Sequence, residues 1–184
     1  YIDLHNLTVA TSPVPTELTG DWDGKSGVTY NLVEGGKYTQ LSFSPADTQQ
    51  DAEKWDFAIH HFDVKTNKGS ATATQFTSID ELPSAAAFDN AVFTADVWSS
   101  TQAIVDFSGM MAFHIGYQNS YVNEVICDWV KMDFSTPPPV YTASGKVYVM
   151  RLADGSRAAL RLKSYMSDAG TKGVLTIDIL YPYE

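Results

Sequence analysis

The sequence holds a single cysteine, Cys127, among 184 residues, so an intramolecular disulfide is impossible. Without a Cys-x-x-Cys or Cys/His cluster there is no framework for a structural zinc either. Basic side chains are scarce: 12 Lys and Arg stand against 22 Asp and Glu, for a formal net charge of −10. That field repels a phosphate backbone or an anionic lipid surface, and no local basic patch offsets it, so nucleic acid is excluded as a partner. No run approaches the roughly 18 to 20 apolar residues that a spanning helix needs. No Gly-x-Ser-x-Gly elbow is present, and Gly24-Lys25-Ser26 resembles the tail of a phosphate loop without its preceding glycine spacing. Cys127 sits beside Asp128 and Trp129 with no neighbouring His to activate it. Nothing here assembles a catalytic site, and the reading is that of a non-enzyme. No repeat of 20 to 50 residues is evident.

What the chain does have is apolar bulk. Hydrophobic residues make up 44% and charged ones only 18%, with 10 Tyr, 9 Phe and 4 Trp, so disorder and a coiled coil are excluded and one domain spanning 1–184 is expected. The chain begins at Tyr1 and not at Met, which suggests a cleaved signal or anchoring segment.

The organisation reads as strands and turns. Val28 to Val33 and Lys37 to Phe43 flank Gly35-Gly36, and Pro45 ends the second run. In Trp55 to Val64 apolar residues alternate at 55, 57 and 59 and resume at 62 and 64. This slip of phase predicts a β-bulge between Ile59 and Phe62, or a strand covered on both faces. Lys65 to Thr77 is small and polar, which predicts a loop or edge strand outside the core. Ile79 to Phe88, with Pro83 and an Ala triplet, predicts a short helix or turn. Ala91 to Trp98 and Ala103 to Phe107 read as strands. Met110 to Pro139 has no clean period, and Pro137-Pro138-Pro139 forbids regular structure there. The end is the clearest: Lys146 to Leu152 and Ala158 to Met166 flank Asp154-Gly155, a hairpin signal because tight hairpin turns require positive φ. A second turn at Asp168 to Gly173 leads into Val174 to Tyr181, completing a meander, so the fold class is mainly β.

Candidate ligands are few. His60 and His61 are adjacent, and adjacent strand residues point to opposite faces, so the pair does not chelate one ion and reads as structural. Asp21 and Asp23 lack the repeated carboxylates of a calcium loop and read as solvated. Met110, Met111 and Met132 are either fillers of irregular core gaps or soft ligands, since a thioether can bind heme iron axially. His114, between Phe113 and Ile115, is either a buried strand histidine or an imidazole ligand.

Several segments taken together carry a resemblance. Trp55-Asp56-Phe57-Ala58-Ile59-His60-His61-Phe62-Asp63-Val64-Lys65-Thr66-Asn67 with the Gly/Ser/Ala stretch after it, Lys146 to Gly155, Lys172 to Ile177 and Tyr181-Pro182-Tyr183 resemble the HmuY family, from about Tyr38 to the C-terminus. These are heme-binding lipoproteins of anaerobic gut and oral bacteria. The resemblance implies an all-β, mainly antiparallel, hand-like fold with at most short helices. It implies a cleft that grips one heme b (iron protoporphyrin IX) and a TonB-dependent outer-membrane receptor that takes it, with host heme proteins as a source. It also implies a surface-exposed outer-membrane lipoprotein, held by a lipidated Cys upstream of the domain and in some members released as a hemophore. Iron acquisition and transport, not catalysis, would be its role.

Family members bind iron through two histidines or, in relatives, two methionines, all from the middle region. Carried over, the first position falls at Met110-Met111, with His114 a few residues on. The second falls near Phe134 to Pro137, where this sequence has neither His nor Met. Met132 is the nearest donor, on the same face as Phe134 if that piece is extended. His60 matches a family histidine that is not an iron ligand. Phe113, Tyr117, Tyr121, Trp129, Phe134 and Tyr141 would line the slot. The alternative is a surface ligand-binding or adhesin module on the same scaffold, recognising a glycan or protein through exposed Trp and Tyr and binding heme weakly or not at all.

Overall fold

The computed structural model describes residues 2–5, 8–9, 28–34, 37–43, 55–60, 62–106, 116–133, 135, 137–138, 140–166, 168–170 and 172–184. Among them the chain runs β1 (Ile2–Asp3), β2 (Thr8–Val9), β3 (Val28–Glu34), β4 (Lys37–Phe43), β5 (Phe57–His60), β6 (Asp63–Thr66) and β7 (Ser70–Ala73). Two 3-10 turns follow, Ile79–Glu81 and Ala85–Phe88. Next come β8 (Thr94–Ala95), β9 (Val97–Asp106), β10 (Gly116–Val122), the one-turn helix α1 (Glu124–Cys127), β11 (Val130–Asp133) and β12 (Val140–Ala143). The chain closes with β13 (Tyr148–Arg151), β14 (Arg157–Met166) and β15 (Lys172–Leu180).

The principal sheet has seven strands in the order β4-β3-β15-β14-β13-β7-β8. All its pairings are antiparallel except β15 with β3, which run parallel. A four-stranded antiparallel sheet, β2-β1-β5-β6, is the second layer. Period-two alternation assigns the faces of the large sheet. Tyr148, Met150, Ala158, Leu160, Leu162, Ile177 and Ile179 join Ile2, Leu4, Phe57 and Val64 in the main core. Val147, Val149 and Ala159 point the other way, where Ile79, Ala85 and Tyr183 cover them. Arg157 pins that cover by donating to the Ala85 carbonyl and pairing with Asp89 at 2.7 Å, while Arg151 lies 4.3 Å over the Phe93 ring.

The C-terminal meander follows the sequence reading. Gly155 adopts a φ of 89°, the left-handed value that the Asp-Gly turn demands. Asp154 holds the turn by accepting from the Ser156 N–H at 2.9 Å and hydroxyl at 2.7 Å. The 3-10 turns at 79–88 also agree.

Other expectations are corrected. Trp55 to Val64 is not one bulged strand: β5 and β6 form a hairpin with Ile59 opposite Val64, while the alternative of cover on both faces holds for β5, where Phe57 is buried in the main core and Ala58 on the other face against Val122. Lys65 to Thr77 is not a peripheral loop. Ala71 is fully buried and β7 lies inside the large sheet, between β13 and β8. The predicted strands at 91–98 and 103–107 give way to the two-residue β8 and a single strand, β9. The stretch 110–139, read as irregular, contains β10, α1 and β11.

Candidate functional site

Two antiparallel hairpins stand apart from the two sheets of the palm: β9 with β10, and β11 with β12. The chain passes from one to the other through residues 123–129, which are anchored in the interior. Asn123 is fully buried, and its Oδ1 accepts the Ile126 N–H at 3.2 Å, capping α1. Ile126 and Trp129 are fully buried in the main core, and the Trp129 indole donates to the Phe62 carbonyl at 2.8 Å. Cys127 packs beside Ala58 and Val122. Burial pushes its thiol up to about 12, so it is an inert packing group and not a nucleophile.

The root of the β9–β10 ribbon is held by a polar network. Asp96 is the residue between β8 of the large sheet and β9 of the ribbon. One of its oxygens accepts from the Thr66 N–H at 2.6 Å. The other accepts from the Thr66 hydroxyl at 2.9 Å and from Asn123 Nδ2 at 3.0 Å. Asn123 Nδ2 also donates to the Thr94 carbonyl, and its backbone N–H donates to the Val64 carbonyl at 2.7 Å. Burial raises the Asp96 carboxyl above its ordinary value of 3.8, against the donors from Asn123 and Thr66 and the nearby charge of Lys65.

Beyond that root the ribbon shows two faces. Val122 is buried against Ala58, whereas Trp98 and Tyr121, cross-strand partners, are 60% and 54% exposed. Their rings meet edge to face, 5.0 Å apart.

In the second hairpin, Val130 is buried and Met132, two residues on, shares its face. Met132 is paired with Tyr141, whose ring stacks on Phe62 at 5.1 Å. Met132 itself is 38% exposed. Asp133 accepts the Ser135 N–H at 2.8 Å at the start of the connecting loop, and the Ser135 side chain first, with that N–H second, holds its carboxyl below the usual carboxylate value.

Of the residues singled out from sequence, the structure brings together Met132 and Tyr141. Trp129 does not line a slot; it is core. Tyr121 belongs to an exposed aromatic pair with Trp98, a partner the sequence reading did not single out. Tyr117 lies in β10, its backbone opposite Ile104. Met110, Met111, Phe113, His114 and Phe134 lie outside the described residues, as do the side chains of Tyr117, His60 and His61. Asp21, Asp23 and residues 24–26 fall outside them too. Met110, Met111 and His114 fall in the segment joining β9 to β10, and Phe134 in that joining β11 to β12.

Sequence reasoning also missed a palm cluster. Asp3, His5 and Asp56 have ligand atoms within 4.8 Å of one another. His5 is already engaged on both nitrogens, with Asp56 at 3.2 Å and Asp154 at 2.8 Å. The arrangement is an ion-pair clasp from the N-terminal strand to the β13–β14 turn.

A two-layer β palm bearing two hairpin fingers that spring from one buried junction defines a hand-like, all-β binding protein. The model of the family described as HmuY protein matches residues 1–179, and the chain belongs to the HmuY family. It is similar to a crystal structure from Bacteroides vulgatus described as an HmuY-like heme binding protein, with 35% identity and a TM-score of 0.67 over 96% of this chain and 100% of that one. A lipoprotein structure from Bacteroides fragilis has 36% identity and a TM-score of 0.63, covering 88% of this chain and 85% of that one. The apo HmuY analog of Tannerella forsythia, at 23% identity and a TM-score of 0.59 over 95% of this chain and 84% of that one, shares the fold. No curated protein matches.

Proposed function

We propose that this chain is a non-catalytic heme-binding protein that captures heme b and delivers it to a TonB-dependent outer-membrane receptor, with host heme proteins as a source. In this reading it is a surface-exposed outer-membrane lipoprotein. The observation that carries the reading is membership of the HmuY family together with whole-chain similarity to a protein described as heme-binding. The lipoprotein relative supports the location, and no helix among the described residues is long and apolar enough to cross a membrane.

The heme site we assign comprises Met110, Met111, His114 and Tyr117 from the first finger and Met132 and Phe134 from the second, with Met110, Met111 and Met132 as candidate iron ligands. The exposed Met132, paired with Tyr141, fits this assignment, because a heme site needs a soft axial donor next to apolar, aromatic surface. Thioether ligation favours ferrous over ferric iron, so binding tightens on reduction. The test is a hemin titration with and without dithionite of the wild type and of Met110→Ala, Met111→Ala and Met132→Ala. A Soret shift weakened by at least one substitution is expected. No Soret shift in either redox state would sink the reading.

The exposed Trp98–Tyr121 pair favours a second reading, a surface module that recognises a glycan or protein. Glycan-array binding lost in Trp98→Ala, together with an inert hemin titration, would establish it in place of the first.

A further inference from the structure

Three donors from two separate places in the chain converge on the two oxygens of Asp96: the Thr66 N–H and hydroxyl at the end of β6, and the Asn123 amide just after β10. Thr66 belongs to the four-stranded palm sheet, while Asp96 and Asn123 stand at the two ends of the β9–β10 ribbon. Only a carboxylate accepts all three bonds. An amide at position 96 turns one of the two oxygens into a donor facing another donor. Beside this network, Val122 packs against Ala58 and the Asn123 N–H donates to the Val64 carbonyl. Among the described residues the ribbon strands pair with each other and not with either palm sheet.

We propose that Asp96 is a positioning residue for ligand capture: through Thr66 and Asn123 it docks the root of the β9–β10 ribbon on the β5–β6 hairpin, and the docked ribbon is the binding-competent form. This rests on the heme reading above. When the competent form is only a fraction of the population, apparent affinity falls by that fraction. Loosening the network therefore lowers apparent hemin affinity in proportion to the fraction that stays docked, although none of the three residues belongs to the heme site assigned above.

The test uses Asp96→Ala and the gentler Thr66→Val, which keeps the shape of the side chain and removes one donor. Hydrogen exchange is followed at Val97 to Ser99 and Ser120 to Val122, relative to β13 to β15. Hemin is titrated in parallel with its absorption bands recorded. Ile177→Ala, a buried change in β15, serves as a control for general destabilisation. Hemin affinity is expected to fall about tenfold in Asp96→Ala and about threefold in Thr66→Val, with ribbon exchange faster than wild type in both variants and fastest in Asp96→Ala. Ile177→Ala leaves both unchanged relative to the palm. Wild-type affinity and bands in both network variants, or ribbon exchange no faster than that of the palm, overturn the proposal alone. A wild type that shows no hemin band overturns the heme reading and the proposal with it. Thr66→Val remains decisive if Asp96→Ala does not fold.

Discussion

Replacing Trp129 by Phe separates two roles for one aromatic residue, because a wall of a ligand slot and a member of the core respond to it in opposite ways. The indole has no solvent exposure, lies in the main core with Phe57, Val64 and Leu160, and donates to the Phe62 carbonyl at 2.8 Å. Phenylalanine keeps one ring and loses the donor. Stranding a buried or partly buried carbonyl costs about 1 to 3 kcal/mol, and the volume vacated by the smaller ring adds about 1 kcal/mol. A loss of about 2 to 4 kcal/mol is therefore expected, which at a urea slope of about 2 kcal/mol/M moves the midpoint down by about 1 to 2 M. Circular dichroism during urea unfolding reads that shift, and a hemin titration of the folded variant reads the site. Unchanged hemin affinity with a shifted midpoint supports the core role. A midpoint within about 0.5 M of wild type, with hemin binding weakened, would refute it.

The His5 clasp sets a second expectation. The hydrogen bond to Asp154, opposed by burial and reinforced by Asp56, raises the imidazole above 6.5, while Asp154 is lowered to about 2, chiefly by Ser156 and then by His5. A His whose folded pKa is raised contributes stability that is complete below 6.5 and disappears as pH climbs through the folded value. An NMR titration should place His5 above 6.5, and Asp154→Asn should lower it; a native value at or below 6.5 contradicts the clasp. A third concerns Gly69, where an added Cβ would stand 2.7 Å from the Arg151 carbonyl oxygen and 3.2 Å from Thr66 Cβ. Gly69→Ala must push backbone apart, at about 1 to 3 kcal/mol, so the melting temperature should drop by several degrees; an unchanged value would mean that β7 and β13 separate freely there.

The elements legible in the sequence were those whose signals are local. β3, β4 and the meander β13 to β15 each carry apolar runs bounded by Gly, Pro or Asp-Gly, and Gly155 has the backbone angle its turn requires. The β5–β6 hairpin was misread because residues 61 and 62 are His and Phe, with none of the usual turn formers. β7 looked too small for the core, yet Ala71 is fully buried opposite Met150; a small residue is what that partner leaves room for. β10, with the sequence Gly-Tyr-Gln-Asn-Ser-Tyr-Val, has no apolar alternation to announce the strand that pairs with β9. The parallel pairing of β3 with β15 joins opposite ends of the chain, which no local pattern announces.

The site was legible only in part, and the reason is chemical. Met132, in the heme site we propose, stands out in the sequence because a thioether in a polar, irregular stretch is conspicuous. Thr66, Asp96 and Asn123 do not, because each alone reads as an ordinary surface polar residue, and their convergence exists only after folding. The two kinds of residue also differ in their freedom to change. Asn123 spends Oδ1 on the helix cap and Nδ2 on both Asp96 and Thr94, so any replacement strands a buried partner. Met132 points from an exposed hairpin position, where another side chain of similar size meets no such demand. In the site we propose, the ligand-facing residues of the fingers are thereby separable from the scaffold that carries them.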